Sequence, residues 1–450
     1  MSKAERESSV PGNASAIRAH GWRDLVMFAA LCFVVDFGFF MFSYWRKDPI
    51  HVLHWDDESI YHYPLILKYI QNGFFLRGDD YTTATTPLFH VVSALLGRIL
   101  GTPSPWPMRA FNVAVTVAVP VAFFRILAPT TSRLNAWVLS LALHFAPYMW
   151  ARGFVLLTEN LATLMVLLAL TPMFVRGPAN LRQREMLWAA FFLVLAVLTR
   201  QQWVWLAPWI SAEILLRDAS LAPVADSPRP PVPIGRRIQL CLPLLAPVLV
   251  LVPFLLMWRG FVPPNFHAAN QSGATNWRAV VFTLTALGFY MTLLAPSQLI
   301  STIRASPRVT VLVACLAASL CLLSGLRFRS IHVDNGYLWK VSTMFPNVFG
   351  ANVFLSAFAV LGALIWVAAF RGGPRWLGSF VLVFAISVSH VNMNFQKYYE
   401  VTLLIAVLIF ARSVRASRLD RVAQALWLVA GFSYIPFKLV TQYGRGFPRP

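Results

Sequence analysis

The chain has 450 residues, of which 58% are hydrophobic and only 12% are charged, whereas an average soluble domain carries about 25% charged residues. This composition cannot cover a water-facing surface, and it excludes a soluble enzyme, a disordered protein and a coiled coil. The formal net charge of +20 comes from basic clusters between apolar segments, which is typical of cytoplasmic membrane loops and argues against a nucleic-acid partner. We therefore predict a single integral-membrane domain over residues 1–450.

Fourteen apolar segments are candidates for membrane helices, each of which needs about 20 mostly apolar residues. In chain order they lie at 25–44, 87–100, 110–127, 134–150, 160–175, 186–198, 203–216, 238–258, 280–300, 309–323, 346–370, 377–391, 401–411 and 422–440. Basic residues before the first segment, including Arg18 and Arg23, predict that 1–24 is a cytoplasmic tail.

The second segment, 87–100, decides the topology. It is short and contains His90 and Arg98; if it crossed the bilayer, the basic loops 176–184 and 217–237 would fall outside, against the positive-inside rule. We therefore predict that it lies in the outer interface. The result is an all-α polytopic membrane protein of about 13 transmembrane helices, with 217–237 as a cytoplasmic loop.

This topology predicts six extracytoplasmic segments. The two main ones are a long first loop over 45–109, with juxtamembrane helices, and a late loop over 326–345; the others are 151–159, 199–202, 259–277 and 392–399. The four cysteines all fall within apolar segments, so we expect free, membrane-buried thiols. They are Cys32, Cys241, Cys315 and Cys321.

The first loop contains three consecutive acids, Asp56, Asp57 and Glu58. Beside a membrane surface such a cluster can deprotonate an incoming hydroxyl or bind a divalent metal. Two further interpretations stay open. The acids are equally suited to cap the amino end of a solvated helix. A histidine and aspartate metal site is the other alternative, although its spacing matches no standard ligand pattern; its members would be His51, His54, Asp56 and His62.

Two more acids lie at or inside apolar segments, where a carboxylate is costly to place. Glu159 stands where the chain re-enters the membrane, which makes it a functional candidate; the structural alternative is an ion pair with Arg152 or Arg200. Asp36 lies within the first span, and we expect it to be a structural partner of a buried arginine or hydroxyl.

Cations stand at the predicted outer boundaries. Arg200, His332 and Lys397, the last followed by the phenol of Tyr398, are suited either to anchor the protein in the interface or to bind phosphate. Together with the external acids they indicate a pocket that is acidic at one end and cationic at the other.

At these residues the sequence resembles the GT-C superfamily of polytopic glycosyltransferases. The first loop opens with Asp57-Glu58-x-x-Tyr61, and Thr85-Thr86-Pro87-Leu88-Phe89 begins a juxtamembrane helix. Within the superfamily the chain looks most like the eukaryotic, dolichyl-phosphoglucose-dependent alpha-1,2-glucosyltransferases. That similarity is carried by four stretches, at 57–64, 82–87, 199–201 and 332–337, the last with Gly336 where the family pattern has a basic residue.

The resemblance implies an inverting transfer from a polyprenyl-phosphate-linked sugar to a glycan or glycolipid hydroxyl, with no cofactor. Asp57 would be the general base, with Asp56 as the alternative, and Glu58 and Glu159 would orient the acceptor or keep the base ionised. The lipid phosphate would be bound by a second set: Arg200, Lys397, His332 and Tyr398. The acceptor or sugar would be bound by a third: His54, Tyr61, His62, Asp334 and Asn335.

A transporter or lipid flippase is the alternative function. Transporters place ionisable residues and broken helices near the bilayer midplane, often within repeated halves, whereas here the acids gather at one surface and no repeat is evident. Composition and the short external loops favour a bacterial cytoplasmic membrane with a periplasmic active site and a role in cell-envelope glycan biosynthesis. A specificity like that of protein O-mannosyltransferases or lipid A aminosugar transferases stays open.

Overall fold

A computed structural model of the protein describes residues 14–45, 57–75, 81–129, 131–176, 181–216, 232–267, 275–329, 336–371, 375–391, 396–413 and 417–443. The described chain is almost entirely helical. The helices of the amino-terminal part are α1 (Ala14–Trp45), α2 (Tyr63–Asn72), α3 (Leu88–Ile99), α4 (Pro105–Leu127), α5 (Arg133–His144), α6 (Pro147–Ala151), α7 (Glu159–Arg176), α8 (Gln183–Thr199), α9 (Leu206–Leu216), α10 (Ile234–Cys241), α11 (Ala246–Leu249) and α12 (Val252–Trp258).

The carboxy-terminal part continues in the same manner. Its helices are α13 (Trp277–Leu294), α14 (Pro296–Ala305), α15 (Pro307–Ser324), α16 (Tyr337–Ser342), α17 (Val353–Arg371), α18 (Arg375–Val388), α19 (Gln396–Ser413) and α20 (Arg418–Tyr443). Short 3-10 turns occupy Arg152–Phe154, Gln201–Trp205, Leu242–Leu245 and Pro264–Phe266, and a π-helical turn occupies Asp57–His62. One antiparallel hairpin pairs β1 (Asn347–Val348) with β2 (Ala351–Asn352).

The predicted spans are helical over most of their length, which confirms an all-α polytopic membrane protein. The prediction for 346–370 was wrong at its start, because 347–352 form the β hairpin and the helix begins only at Val353. Within the described residues, seven helical segments are long and apolar enough to cross a membrane, by length and composition. They are Trp22–Trp45, Pro105–Leu127, Glu159–Arg176, Ile234–Trp258, Trp277–Leu294, Pro307–Ser324 and Val353–Phe370. Shorter apolar helices cover Leu88–Ile99, Arg375–Val388 and Tyr399–Phe410.

Prolines interrupt several segments that were predicted to be continuous. The segment 238–258 forms α10, a 3-10 turn, α11 and α12, and two further segments break completely. The segment 280–300 is broken at Ala295, whose backbone leaves the helical region (φ −148°, ψ 51°) before Pro296 starts α14. The segment 134–150 likewise ends as α5 at His144, and Pro147 begins α6. Proline lacks the N–H that a continuous helix needs and disfavours helical geometry at the residue before it.

The second predicted segment forms α3, which is 12 residues long. A helix of that length spans about 18 Å, well short of a hydrocarbon core of about 30 Å, and α3 packs on α2 instead. Arg98 joins the two helices, because its guanidinium donates to the carbonyls of Tyr69 (2.5 Å) and Ile70 (3.2 Å) at the end of α2. This pair of juxtamembrane helices follows the acidic turn and fixes where that turn lies.

Two glycines let α13 and α17 approach at backbone contact. A Cβ added to Gly288 would lie 2.0 Å from the carbonyl oxygen of Phe358, and one added to Gly362 would lie 2.0 Å from that of Leu284. Small residues at such contacts are the usual way in which membrane helices gain van der Waals packing. The contact holds α13, which supplies Tyr290 to the polar cluster described below.

The partner of Asp36 differs from the prediction. Its carboxylate accepts from the indole nitrogen of Trp150 (2.7 Å) and lies 3.2 Å from His144 Nε2, rather than binding an arginine or a hydroxyl. Because α5 stops at His144 and α6 begins at Pro147, both His144 and Trp150 reach Asp36. The four cysteines lie within the described residues and are free, as predicted.

Candidate functional site

The acidic turn is tied to two other parts of the chain through Glu58. This side chain is 2% exposed, and its Oε1 accepts from Nε (2.9 Å) and Nη2 (2.5 Å) of Arg109 at the start of α4. Its Oε2 accepts from the backbone N–H of Leu156 (2.8 Å). A buried carboxylate with charge-assisted bonds on both oxygens holds its surroundings in one geometry, so Glu58 anchors the turn.

Asp57 precedes Glu58 in the same π-helical turn and is half-buried. Whereas Glu58 is enclosed by Arg109 and Leu156, Asp57 keeps access to the surface. Among the acids of the described turn it is therefore the better placed to meet a diffusing hydroxyl. Asp56, the alternative base, lies outside the described residues.

A second buried ion pair joins α7 to the end of α8. Glu159, the first residue of α7, places Oε1 2.5 Å from Nη1 of Arg200, and the same Nη1 donates to Thr158 Oγ1 (3.2 Å). Arg200 is the extended residue between α8 and the following 3-10 turn (φ −149°, ψ 107°). The structure therefore contains the ion pair between Glu159 and Arg200 that the sequence analysis gave as the structural alternative.

The two ion pairs belong to one site. Leu156, which donates to Glu58, and Glu159, which binds Arg200, are separated by three peptide units, so their Cα atoms are at most about 11 Å apart. The segment between them carries both connections, one at each end. The acidic turn and Arg200 are therefore neighbours in the structure, although Glu58 and Arg200 are 142 residues apart in the sequence.

Gln201 holds the threonine-rich loop, residues 82–87, next to the two ion pairs. Its Oε1 accepts from the backbone N–H of Thr86 (3.1 Å), and its Nε2 donates to the carbonyls of Ala84 (2.7 Å) and Phe261 (2.9 Å). The hydroxyl of Thr82 in turn donates to the carbonyl of Tyr61 (2.8 Å). Three of the four stretches that carry the family resemblance, 57–64, 82–87 and 199–201, are thus linked by direct hydrogen bonds.

His62 lies against His90 of α3. The Nδ1 of His62 is 2.8 Å from Nε2 of His90, and the rings are nearly parallel, with centroids 5.1 Å apart and an angle of 8°. Burial, and next the neighbouring His62, lowers the pKa of His90 well below its ordinary value. The ring of His90 is therefore neutral at pH 7.

We expect this pair to make the protein less stable in mild acid. A histidine with a lowered pKa in the folded state binds its proton more readily when unfolded, so stability falls as the pH drops below about 6.5, by at most about 1.4 kcal/mol per pH unit. Thermal unfolding in detergent between pH 5 and 8 measures the slope. Replacing His90 with glutamine should flatten the slope below pH 6.5, and an unchanged slope in His90→Gln would contradict the assignment.

The remaining predicted site residues differ in how far the structure describes them. Tyr61 is partly exposed, and its ring meets the edge of Phe266, 5.9 Å away. Lys397 and Tyr398 occupy the first turn of α19, but their side chains lie outside the described part of the chain. Outside it altogether lie His51, His54, Asp56, His332, Asp334 and Asn335.

A second buried polar cluster, which was not predicted from the sequence, surrounds Glu400 of α19. Its Oε1 accepts from the backbone N–H of Tyr148 (2.8 Å), and its Oε2 accepts from the phenols of Tyr290 (2.5 Å) and Tyr337 (3.0 Å). Burial, and next Glu400, raises the pKa of Tyr337 well above its ordinary value, so this phenol stays a donor. The sequence did contain one signal for this cluster, because Glu400 is a carboxylate directly before the apolar segment 401–411, where a charge is costly to place.

The cluster connects to the first site through Arg152. This arginine is fully buried, and its guanidinium lies over the ring of Tyr148, 5.5 Å from the centroid. Its carbonyl accepts from Asn112 of α4 (2.8 Å), and the same amide also donates to the carbonyl of Val155 (2.6 Å). The segment 152–159 therefore links the Glu400 cluster at one end with the Glu58 and Glu159 pairs at the other.

Gly336 stands at the start of α16 with φ +141°, a conformation that favours glycine. A Cβ added there would lie 2.4 Å from that of Gln396, whose Oε1 accepts from the N–H of Leu338 (2.8 Å). The basic residue of the family pattern would not fit at this position.

Within the residues that the structure describes, no group of three or more histidine, cysteine and acidic side chains is arranged to hold a metal ion. Three members of the alternative metal site, His51, His54 and Asp56, lie outside those residues.

The solved structures that are similar to this chain include two crystal structures of ArnT from Cupriavidus metallidurans, in the apo state and bound to undecaprenyl phosphate. The alignments cover 92% of this chain and 78% of ArnT, with sequence identities of 17% and 15% and TM-scores of 0.41 and 0.40. No family model matches the sequence, and no curated protein matches it. At these values the likeness assigns neither a family nor an activity to this chain.

Proposed function

We propose that the protein is an inverting glycosyltransferase of the GT-C type, which moves a sugar from a polyprenyl-phosphate carrier to an acceptor hydroxyl at the extracytoplasmic face. The observation that carries the proposal is the junction of two buried ion pairs, Glu58–Arg109 and Glu159–Arg200, beside the half-buried Asp57. Buried charges are costly to place in a membrane protein and mark functional sites.

Asp57 acts as the general base in this mechanism. Its carboxylate takes the proton of the acceptor hydroxyl as that oxygen bonds to the anomeric carbon. The bond between the anomeric carbon and the phosphate oxygen breaks on the opposite face, and the electron pair leaves with the lipid phosphate. A positioned base of this kind contributes roughly 10²–10⁴-fold to the rate.

Arg200 stabilises the charge that develops on the departing phosphate. Glu159 and Thr158 fix the Nη1 end of its guanidinium, so the cation is oriented before the lipid arrives. Such preorganised charge is usually the largest single electrostatic contribution to catalysis. Lys397, His332 and Tyr398 complete the phosphate site in this proposal.

The remaining residues bind and position. Glu58 holds the acidic turn in place through Arg109 and Leu156, and Tyr61 and His62 face the acceptor or sugar together with His54, Asp334 and Asn335. We further propose a hexose, in the first instance glucose, as the transferred sugar. The proposed setting is a bacterial cytoplasmic membrane, with a cell-envelope glycan or glycolipid as the acceptor.

The test is binding of a polyprenyl phosphate to the purified protein and to Arg200→Ala. Undecaprenyl phosphate in nanodiscs is the probe, and loss of a charge-assisted hydrogen bond worth about 1.5–3 kcal/mol should weaken binding by at least about tenfold. The matched control is Arg133→Ala, because Arg133 is an exposed arginine paired with Asp24, away from the site. It should bind as the parent does.

Two outcomes would contradict the proposal. Equal affinity of Arg200→Ala and the parent would remove the phosphate role of Arg200. A protein that moves the sugar lipid between leaflets of a proteoliposome, and transfers no sugar to any acceptor, would be a flippase instead.

A further inference from the structure

A strained aromatic residue forms the tip of the hairpin β1–β2. The two residues between the strands, Phe349 and Gly350, both have positive φ, +47° and +85°. Positive φ at both central positions defines a type I′ turn, which favours asparagine followed by glycine. Gly350 fits this preference, but a bulky residue such as phenylalanine rarely adopts a left-handed conformation.

Among the residues that the structure describes, Phe349 makes little contact that could offset this strain. Its side chain is 89% exposed, more than any other large apolar side chain among the described residues. Met344 at 81%, Val348 at 46% and Phe345 at 42% extend the exposed apolar surface. A residue that departs from its local preference without a compensating contact points to a function outside the fold.

The hairpin is held rigidly, so the tip has a fixed position. Asn352 is buried, and its amide donates to the carbonyls of Ser342 (2.9 Å) and Phe345 (3.1 Å) and to Asn347 Oδ1 (3.1 Å). Its backbone N–H donates to the carbonyl of Leu326 (2.8 Å), just after α15. The exposed tip is thus presented by a braced scaffold.

The neighbours of the hairpin identify its surroundings. β2 leads directly into the membrane helix α17, and Leu326 joins it to the end of α15. Only 11% of the residues of α15 are buried within the protein, and Leu323 near the end of this helix is 85% exposed. In a membrane helix such a surface contacts lipid, and the apolar tip continues it.

We propose that the tip formed by Met344, Phe345, Val348 and Phe349 inserts into the acyl-chain region of the bilayer. The tip lies near the carboxy-terminal end of α15, whereas Arg308 stands at the other end of that helix. Aromatic and apolar side chains at the boundary of membrane helices are suited to this role. The contact fixes the late loop, and with it α16 and Tyr337, at a set depth relative to the membrane surface. It does not depend on sugar transfer.

Fluorescence in nanodiscs tests the proposal. The four native cysteines are replaced by serine or alanine, Phe349 is replaced by cysteine, and the thiol is labelled with an environment-sensitive nitrobenzoxadiazole. In nanodiscs of phosphatidylcholine and phosphatidylglycerol, with no protein added beyond the membrane scaffold protein, we expect emission shifted to the blue and quenching by brominated lipids. The matched control is Lys340→Cys, an exposed position on α16, which should show aqueous emission and quenching by iodide.

Three results would overturn the proposal. Aqueous emission and iodide quenching at position 349 would place the tip in water. If the aqueous emission and the iodide quenching disappeared only when a second protein was added, the surface would be assigned to a protein partner. Lipid quenching that appears only with added undecaprenyl phosphate would assign it to the lipid carrier rather than to the bilayer.

Discussion

Replacing Asp57 with asparagine is expected to lower sugar transfer by about 10²–10⁴-fold, the usual contribution of a general base, with the protein folded and inserted. Asparagine has nearly the same shape as aspartate, but its amide cannot take up the proton of the acceptor hydroxyl. The enclosed acid of the turn is Glu58, so the change should leave the ion pair with Arg109 intact. Turnover of a polyprenyl-phosphate sugar in proteoliposomes measures the effect.

Two variants make the Asp57 result specific. Asp24→Asn removes a carboxylate that pairs with the exposed Arg133, and it should transfer sugar at the parent rate. Asp56→Asn separates the two candidate bases, because activity lost there and kept in Asp57→Asn would transfer the role to Asp56. Full activity in both single variants and in the double variant would remove the base from this turn.

The fold was predictable from the sequence because hydropathy, the property that identifies membrane helices, sums over neighbouring residues. A helix that crosses lipid needs a long run of apolar residues and satisfies its backbone internally, so hydropathy locates it without any knowledge of its neighbours. The breaks at Ala295 and after His144 were missed because an apolar window averages over Pro296 and Pro147. The steric effect of a single proline is local and does not change the mean.

The site was predictable only in its local parts. The sequence identifies Asp57, Glu58, Glu159 and Arg200 as unusual, but it does not say which charges meet. Glu58 binds Arg109, 51 residues along the chain, and the sequence analysis gave this arginine no role. Pairing in space is set by how helices pack, and no periodicity within one helix encodes it.

The Glu400 cluster shows the same limit more sharply. Its partners Tyr148, Tyr290 and Tyr337 come from three separate segments, and in sequence each resembles an ordinary aromatic residue near a membrane boundary. Their shared acceptor becomes visible only when α13, α16 and α19 are placed together. The sequence analysis selected Lys397 and Tyr398 nearby, because charge and phenols at a boundary are recognisable without a partner.

Breaking the Glu58–Arg109 pair is expected to have the largest effect on stability. Glu58→Gln leaves the guanidinium of Arg109, itself 4% exposed, without its buried counter-charge, and removal of one member of such a pair costs about 3–5 kcal/mol. Arg109→Met leaves the carboxylate in the same position. Thermal unfolding in detergent compares both with Arg133→Ala, because the Arg133 side chain is 62% exposed and solvent screens its charge, whereas both members of the Glu58–Arg109 pair are buried.

The double variant Glu58→Gln with Arg109→Met separates electrostatics from packing. It leaves no uncompensated charge, so it should be more stable than either single variant, although the N–H of Leu156 then bonds to an amide oxygen in place of a carboxylate. Recovery of this kind would show that the pair acts through charge compensation. If instead the single variants cost no more than Arg133→Ala, Glu58 does not anchor the acidic turn, and the position of Asp57 must be fixed by the link between Thr82 and Tyr61.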